Sequence, residues 1–264
     1  MKKVKDKILK NVVIGGALLT SAIFLSIIGY IVSKGIGAIN LHFLSGIFPM
    51  VISTCYIILS SISISVPIGI CAAIYLVEYA KEGKFIKFIR FAVESLAGIP
   101  SIIFGLFGMI FFVTFLKFGF SILAGSITLS IMVLPTIIRT SEEALKSVPM
   151  AYREGSLALG ATKLTTIRKV VLPSAIPGIM GAVILTIGRI VGETAAVYLT
   201  AGMVPRVPEG IFSSGRSLSV HLYVLAKEGV SFEESFATAT LLIMLVVLIN
   251  IMAHKITKVF KYAK

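Results

Sequence analysis

The chain has 264 residues, 57% of them hydrophobic and 14% charged, with a formal net charge of +13 and a mean hydropathy of +1.01. A soluble domain carries about 25% charged residues, so the composition excludes a soluble globule. The basic excess does not point to nucleic acid, because it stands in blocks between apolar runs, which is a topology signal rather than a binding patch.

In lipid the backbone satisfies its polar groups within its own element, and roughly 20 apolar residues cross the hydrocarbon core as a helix. The apolar runs are too long and too weakly alternating for barrel strands. The expected fold class is therefore all-α, a polytopic membrane protein with six spans at 11–33, 50–77, 96–116, 119–139, 173–201 and 235–254. The first follows "MKKVKDKILK" and lacks the short apolar core and small-residue cleavage site of a signal peptide, so it is expected to be retained. Three parts result. Residues 1–49 hold the N-terminal tail, first span and outer loop; 50–255 form the transmembrane domain; 256–264 are a basic tail.

The second span holds "SSISISVPIGI" together with Cys55 and Cys71, which read as packing residues with no disulfide or metal spacing. His42, His221 and His254 are scattered and read as boundary or loop residues, so no metal is expected. Residues 81–96, "KEGKFIKFIRFAVESL", place Phe85, Phe88, Ile89 and Ala92 on one helical face and Lys84, Lys87, Arg90 and Glu94 on another. This segment is expected to lie as a short helix in the membrane interface. The third and fourth spans carry "LAGIPSIIFGLFG" and "AGSITLSIMVLP", and Pro67, Pro100, Pro135, Pro173 and Pro177 mark kinks or span ends. Small residues are the association surface of helices in lipid, so the bundle is expected to assemble with further helices.

Residues 140–172 form the most informative loop. Thr140 with Glu143 has the spacing of a capping box, predicting a helix start there. Pro149 interrupts it, a second helical stretch runs over 150–159, Gly160 offers a stop, and Thr162 caps a third, amphipathic piece leading into the fifth span. Some 30 ordered residues are long for a passive connection and suit the docking of another protein. The outer loop 202–234 either contacts a soluble partner or caps the bundle; its residues do not decide which. Nineteen Lys and Arg flank the side that holds both termini, and five the other, so both termini are expected in the cytoplasm of a cell-membrane protein.

Arg189 and Glu193 stand inside the fifth apolar run, in "TIGRIVGETAAV". A central Arg is penalised by about 2.5–3.5 kcal/mol on insertion scales, and such residues usually face a pathway or a partner. If the span is one helix, the two side chains share a face at i and i+4 and could form a purely structural pair. The base-before-acid order is the poorer orientation for such a pair. Gly188 and Gly192 form a G-x-x-x-G pattern that lets another helix approach closely, setting the guanidinium in a crevice where its planar donors suit anionic oxygens.

Glu154-Gly155-Ser156, then Gly160, then Val170-Val171-Leu172-Pro173 resembles the "EAA" signature of ATP-binding-cassette importer permeases: E-A-A, three residues, G, nine residues, I-x-L-P. The departures are Gly155, Ser156 and Val170, all small or β-branched. Together with "LAGIPSIIFGLFG", "LPTIIRTSEEAL", "REGSLALGATK" and "GRIVGETAAVYLTAG", the chain resembles phosphate importer permeases over roughly 50–255, and "SVHLYVLAKEG" is similar to the A-type subunit. The resemblance implies that Arg153, Glu154, Gly155, Ser156, Gly160, Ala161, Leu172 and Pro173 belong to an ATPase-coupling helix and its connection. It also implies that Gly188, Arg189, Gly192, Glu193 and Thr194, within an R-x-x-G-E-T element, belong to the substrate pathway. The implied partners are a related permease in a heterodimer, two copies of a cytoplasmic ATPase and an extracytoplasmic phosphate-binding protein.

No cofactor is expected on this chain, ATP and magnesium being implied for the partner ATPase. The chain has no GxxxxGK[ST] phosphate loop and no nucleophile–base constellation, so it is expected to be a transport subunit and not an enzyme. Alternatives within the class are a C-type partner subunit, or a permease for molybdate, sulfate or phosphonate. A gradient-driven secondary transporter would use Arg189 and Glu193 as a charge relay. Such transporters often show paired repeats, and none is visible here.

Overall fold

The elements follow from where the chain can hide its backbone. The computed structural model describes the backbone of residues 2–262 and the side chains of 9–253 and 255. The lysines at 2, 3, 5 and 7, His254 and the lysines at 258, 261 and 264 lie outside the described side chains.

Among the described residues the structure is helical with no strand. Helix α1 runs Lys2–Gly35 and α2 Leu41–Ile74, the latter continued by a π-wound turn, Tyr75–Tyr79. Helix α3 spans Lys84–Ala97, α4 Ser101–Gly108 with a π-wound extension Met109–Phe115, and α5 Ile122–Lys146. Then come α6 (Met150–Ala158), α7 (Lys163–Thr166) and α8 (Leu172–Gly192), the last two joined through the π-wound turn Ile167–Val171. Helices α9 (Ala195–Thr200), α10 (Leu218–Glu228) and α11 (Phe232–Tyr262) complete the chain. Five helical stretches are long and apolar enough to cross a membrane: Leu9–Ala38, Leu41–Tyr79, Ile122–Lys146, Lys163–Gly192 and Phe232–Ala253. Helices α3 and α4 with its extension are together apolar enough for a sixth crossing if the pair is one span, and they are bent by 98° at residues 98–100. Pro100 starts α4 with extended backbone, as expected of a residue that cannot donate a helical hydrogen bond.

The predicted helix start at Thr140 is wrong. Helix α5 passes through it without interruption to Lys146, and Glu143 pairs with Arg139 at 3.6 Å instead of capping. Ala144 and Leu145 are buried against Val171, Ala175 and Ile179, and burying that helical face outweighs a local cap worth about 1 kcal/mol.

Helices α2, α5 and α8 form the centre. Leu129, Met132, Val133 and Ile137 of α5 are fully buried and pack with Ile57 of α2 and Ile190 and Val191 of α8. Small residues let these helices close: Ser130 donates to the carbonyl of Ser126 in its own helix at 2.6 Å and to that of Ser61 on α2 at 3.0 Å. Gly105 of α4 lies against the backbone of Ala196, 2.9 Å from where a Cβ would stand. Helix α1 is peripheral and rests on α11, where Tyr30 meets Phe236 edge to face with centroids 5.9 Å apart; its remaining apolar surface, including Leu18, Leu19, Phe24 and Leu25, is exposed.

The outer loop is part of the bundle. Ser217 caps α10 through the Val220 amide at 3.2 Å, Leu218 N–H donates to the Thr54 hydroxyl at 2.9 Å, and Val220 and Val224 join the central core. At the other end α3 turns Ile86 inward, while Arg90 pairs with Glu142 of α5 at 2.9 Å. Of the predicted apolar face, Phe85 and Phe88 are exposed with Phe91, whereas Ile89 and Ala92 are half-buried.

Candidate functional site

The fifth crossing is not one helix to residue 201. The Glu193 N–H still bonds the Ile190 carbonyl at 3.2 Å, but its backbone then turns extended, with φ −76° and ψ 125°, and helix resumes at Ala195. A broken helix leaves orphan backbone groups that need partners, and side chains supply them. The Glu193 carboxylate accepts the Ala196 N–H at 3.5 Å, placing negative charge at the start of α9, where the helix dipole favours it. Ser219 of α10 donates to the Glu193 carbonyl at 2.7 Å, and the Thr194 hydroxyl reaches the Gly192 carbonyl at 3.5 Å.

Two expectations about this stretch fail for that reason. With Glu193 outside the helix the four-residue register with Arg189 is lost, and the ion pairs formed among the described residues lie elsewhere. The tight crossing at Gly188 and Gly192 is also not made within this chain, since no heavy atom stands within 4 Å of a Cβ built at either. Arg189 is half-buried and its Nη1 reaches the Thr136 hydroxyl on α5 at 3.5 Å. The result is a guanidinium close to a helix break that reaches the Thr136 hydroxyl and, among the described residues, forms no ion pair with a carboxylate. Thr136 and Ser219 were not singled out from the sequence. Nothing local distinguishes them, because their roles come from helices distant in the chain.

The second predicted site folds as expected in outline. Pro149 starts α6, Gly160 ends it at φ +82°, and Thr162 caps α7 through the Thr165 amide at 3.3 Å. Helix α6 buries no residue: Glu154 and Gly155 are exposed, and so are Met150, Tyr152, Leu157 and Leu159, the last at 90%. Ser156 turns back to share a 2.9 Å hydrogen bond with Thr166. Ala161, Leu172 and Pro173 are half-buried in the connection to α8. Arg153 also faces inward. Its Nε and Nη2 donate to Glu78 Oε1 at 3.1 and 2.9 Å, Nη1 to the Val148 carbonyl at 2.7 Å and Nη2 to the Leu145 carbonyl at 2.9 Å. Exposed apolar side chains thus surround Glu154, while Arg153 is turned to the inner side of the helix.

At the opposite end, Arg216 Nε donates to the Met203 carbonyl at 2.7 Å and its Nη1 lies 3.4 Å from His221 Nδ1. Burial, reinforced by the Arg216 charge, pushes the His221 pKa from 6.5 down to about 4.

Residues 65–260 match the protein family described as "Binding-protein-dependent transport system inner membrane component". The chain is 32% identical over 251 residues to a probable ABC transporter permease protein, YqgI, of Bacillus subtilis, covering 86% of this chain and 85% of the relative. It is 36% identical over 196 residues to the phosphate transport system permease protein PstA 1 of Mycobacterium tuberculosis, covering 73% and 64%. A PstA homolog of Mycoplasma pneumoniae is 36% identical over 222 residues, and the chain spans 34% of that relative's length. Among solved structures, a chain of the MetNI methionine ABC transporter in an inward-facing conformation superposes with a TM-score of 0.64 at 23% identity, covering 83% of this chain and 97% of that one. A chain of a bacterial ABC transporter that imports the acidic polysaccharide alginate gives 0.70 at 14% identity over 99% and 100%. These structural likenesses establish the shared all-helical fold.

Proposed function

We infer, from the premise that this chain belongs to the binding-protein-dependent transport system inner membrane component family, that the anion it passes is inorganic phosphate. The chain is a permease subunit of an ABC importer and a multi-pass membrane protein. The observation that carries the phosphate reading is Arg189, half-buried at a helix break beside Thr136 with no carboxylate paired to it. A guanidinium there offsets the desolvation of an oxyanion with directional hydrogen bonds, and a single such contact is weak enough to release it. The resemblance to phosphate permeases by name at 36% identity supports the choice of oxyanion.

Gly188, Gly192, Glu193 and Thr194 shape the path around that charge. The exposed apolar side chains of α6 support docking of a cytoplasmic ATPase, because such a cluster outside a span marks a protein contact. ATP and magnesium then act on that partner, and the open glycine face beside Arg189 accommodates a related permease in a heterodimer. A phosphate-binding protein delivers the anion from outside, and both termini lie in the cytoplasm.

The test is uptake of radiolabelled phosphate in cells in which this chain's complex is the sole phosphate importer, with sulfate, molybdate and phosphonate as competitors. Uptake abolished by Arg189→Gln and resistant to excess sulfate and molybdate is expected. Efficient competition by one of those anions would reassign the substrate.

A further inference from the structure

A helix joined at both ends by non-helical connections is not tied to its neighbours through a continuous backbone hydrogen-bond ladder. Helix α6 is in that position. Before it stands the non-helical break at Ser147–Pro149, and after it Gly160 at φ +82° and the extended residues 161–162. If α6 is where an ATPase docks, these two joints would absorb its displacement before it reached the spans.

The structure supplies a bypass. Arg153 and Glu78 are 75 residues apart, with side chains only 12% and 8% exposed, and they meet at 2.9 Å. Two guanidinium nitrogens hold one carboxylate oxygen of Glu78, while the remaining bonds take the Leu145 carbonyl in the last turn of α5 and the Val148 carbonyl in the break that follows it. One planar group thus ties α6, the last turn of α5 and the cytoplasmic end of α2. A staple serving only the loop would need the two carbonyls alone; Glu78 adds a second span. Its helix end is wound with a wide turn, in which the Ala80 N–H bonds the Tyr75 carbonyl at 2.9 Å. The same turn is gripped from the other side, where Lys163 Nζ lies 4.9 Å from the centroid of the Tyr79 ring. Between the two grips is a cleft of about 540 Å³ lined by Val77, Val148, Met150, Leu157 and Ile167.

We propose that the Arg153–Glu78 pair is a positioning latch that carries displacement of α6 directly to the end of α2, so that ATPase motion moves the second span together with the fifth. Arginine is needed because a point ammonium cannot span a carboxylate and two carbonyls at once. The proposal rests on the reading of α6 as the ATPase docking helix.

The experiment uses the complete transporter in proteoliposomes, on a Cys55→Ser/Cys71→Ser background because both native cysteines are free. It reads ATPase co-purification, ATP hydrolysis and phosphate uptake. Arg153→Lys and the paired Glu78→Met/Arg153→Met, which removes both charges while keeping apolar bulk, are expected to retain the ATPase and to lower phosphate moved per ATP by about fivefold or more. In Glu78→Cys/Arg153→Cys the same loss is expected, and closing the two thiols with a short bifunctional reagent restores the ratio. Unchanged phosphate per ATP in the paired methionine variant overturns the latch. So does a fall in complex yield parallel to activity, or no recovery on cross-linking. Failure of the unsubstituted chain to hold an ATPase at all overturns the docking reading instead, and is told apart by the co-purification step.

Discussion

The Ser219 hydroxyl donates a 2.7 Å hydrogen bond to the carbonyl of Glu193, fastening the outer-loop helix α10 to the point at which the fifth crossing breaks. The same helix is held from α2, where the Thr54 hydroxyl accepts the buried Leu218 N–H at 2.9 Å. The break beside Arg189 is therefore set by three segments at once. Ser219→Ala is expected to cost about 1 kcal/mol, the net worth of one hydrogen bond, and Thr54→Val about 1–3 kcal/mol, because a buried donor is left unpaired. Thermal unfolding in detergent measures both. Phosphate uptake should fall more in Ser219→Ala than its stability loss accounts for, since the freed carbonyl lies on the proposed path.

Arg189 is the next test. Arg189→Gln is expected to abolish phosphate uptake with normal assembly, and Arg189→Lys to recover only part of it, a point charge lacking two-donor geometry. Because Glu193 caps α9 rather than pairing with Arg189, adding Glu193→Gln to Arg189→Gln should not rescue uptake. A double variant that transports would make the two residues scaffolding. Uptake and complex yield are read side by side.

At the docking loop, Glu154→Lys reverses an exposed charge and is expected to lower ATPase co-purification and phosphate uptake while leaving folding intact. Gly160→Leu adds about 1–2 kcal/mol of left-handed backbone strain at φ +82°, so it should lower thermal stability as well. Wild-type uptake in both variants would remove α6 from the coupling path.

His221 predicts the acid limit of the end of the bundle that holds α10. Its pKa is pushed from 6.5 down to about 4, so between those values the unfolded chain binds more protons than the folded one. The proton count makes stability rise with pH through that window, and stability is lost as pH falls from 6.5 towards 4. Unfolding temperature against pH should therefore decline on the acid side, and His221→Gln should flatten the decline. An unchanged slope would place the acid sensitivity elsewhere.

Features carried by short-range physics were legible in the residues. The hydropathy of the apolar runs placed the crossings, Pro149 and Gly160 bounded α6, and Thr162 capped the next helix, because each depends on neighbours within a turn or two. The capping box at Thr140 obeyed the same local logic and failed, since Ala144 and Leu145 had a better alternative in burying against Val171, Ala175 and Ile179. The 98° bend between α3 and α4 was legible in outline, because 81–96 read as a separate interfacial helix and Pro100 as a kink or span end.

By itself the sequence determined that the chain lives in a membrane as helices and where the apolar runs lie, but not their ends: the second helix begins at Leu41 rather than 50, the fourth predicted span runs on to Lys146 rather than 139, and the fifth breaks at Gly192 rather than 201. Tertiary structure alone decided the charges. Glu193 leaves Arg189 because α9 needs a cap and Ser219 waits on α10, and Arg153 turns inward because Glu78 arrives from another span. Hydropathy and helix caps act over a few bonds and so are written locally. The partner of a buried charge is whichever group the fold brings within hydrogen-bond reach, and Glu78 lies 75 residues from Arg153.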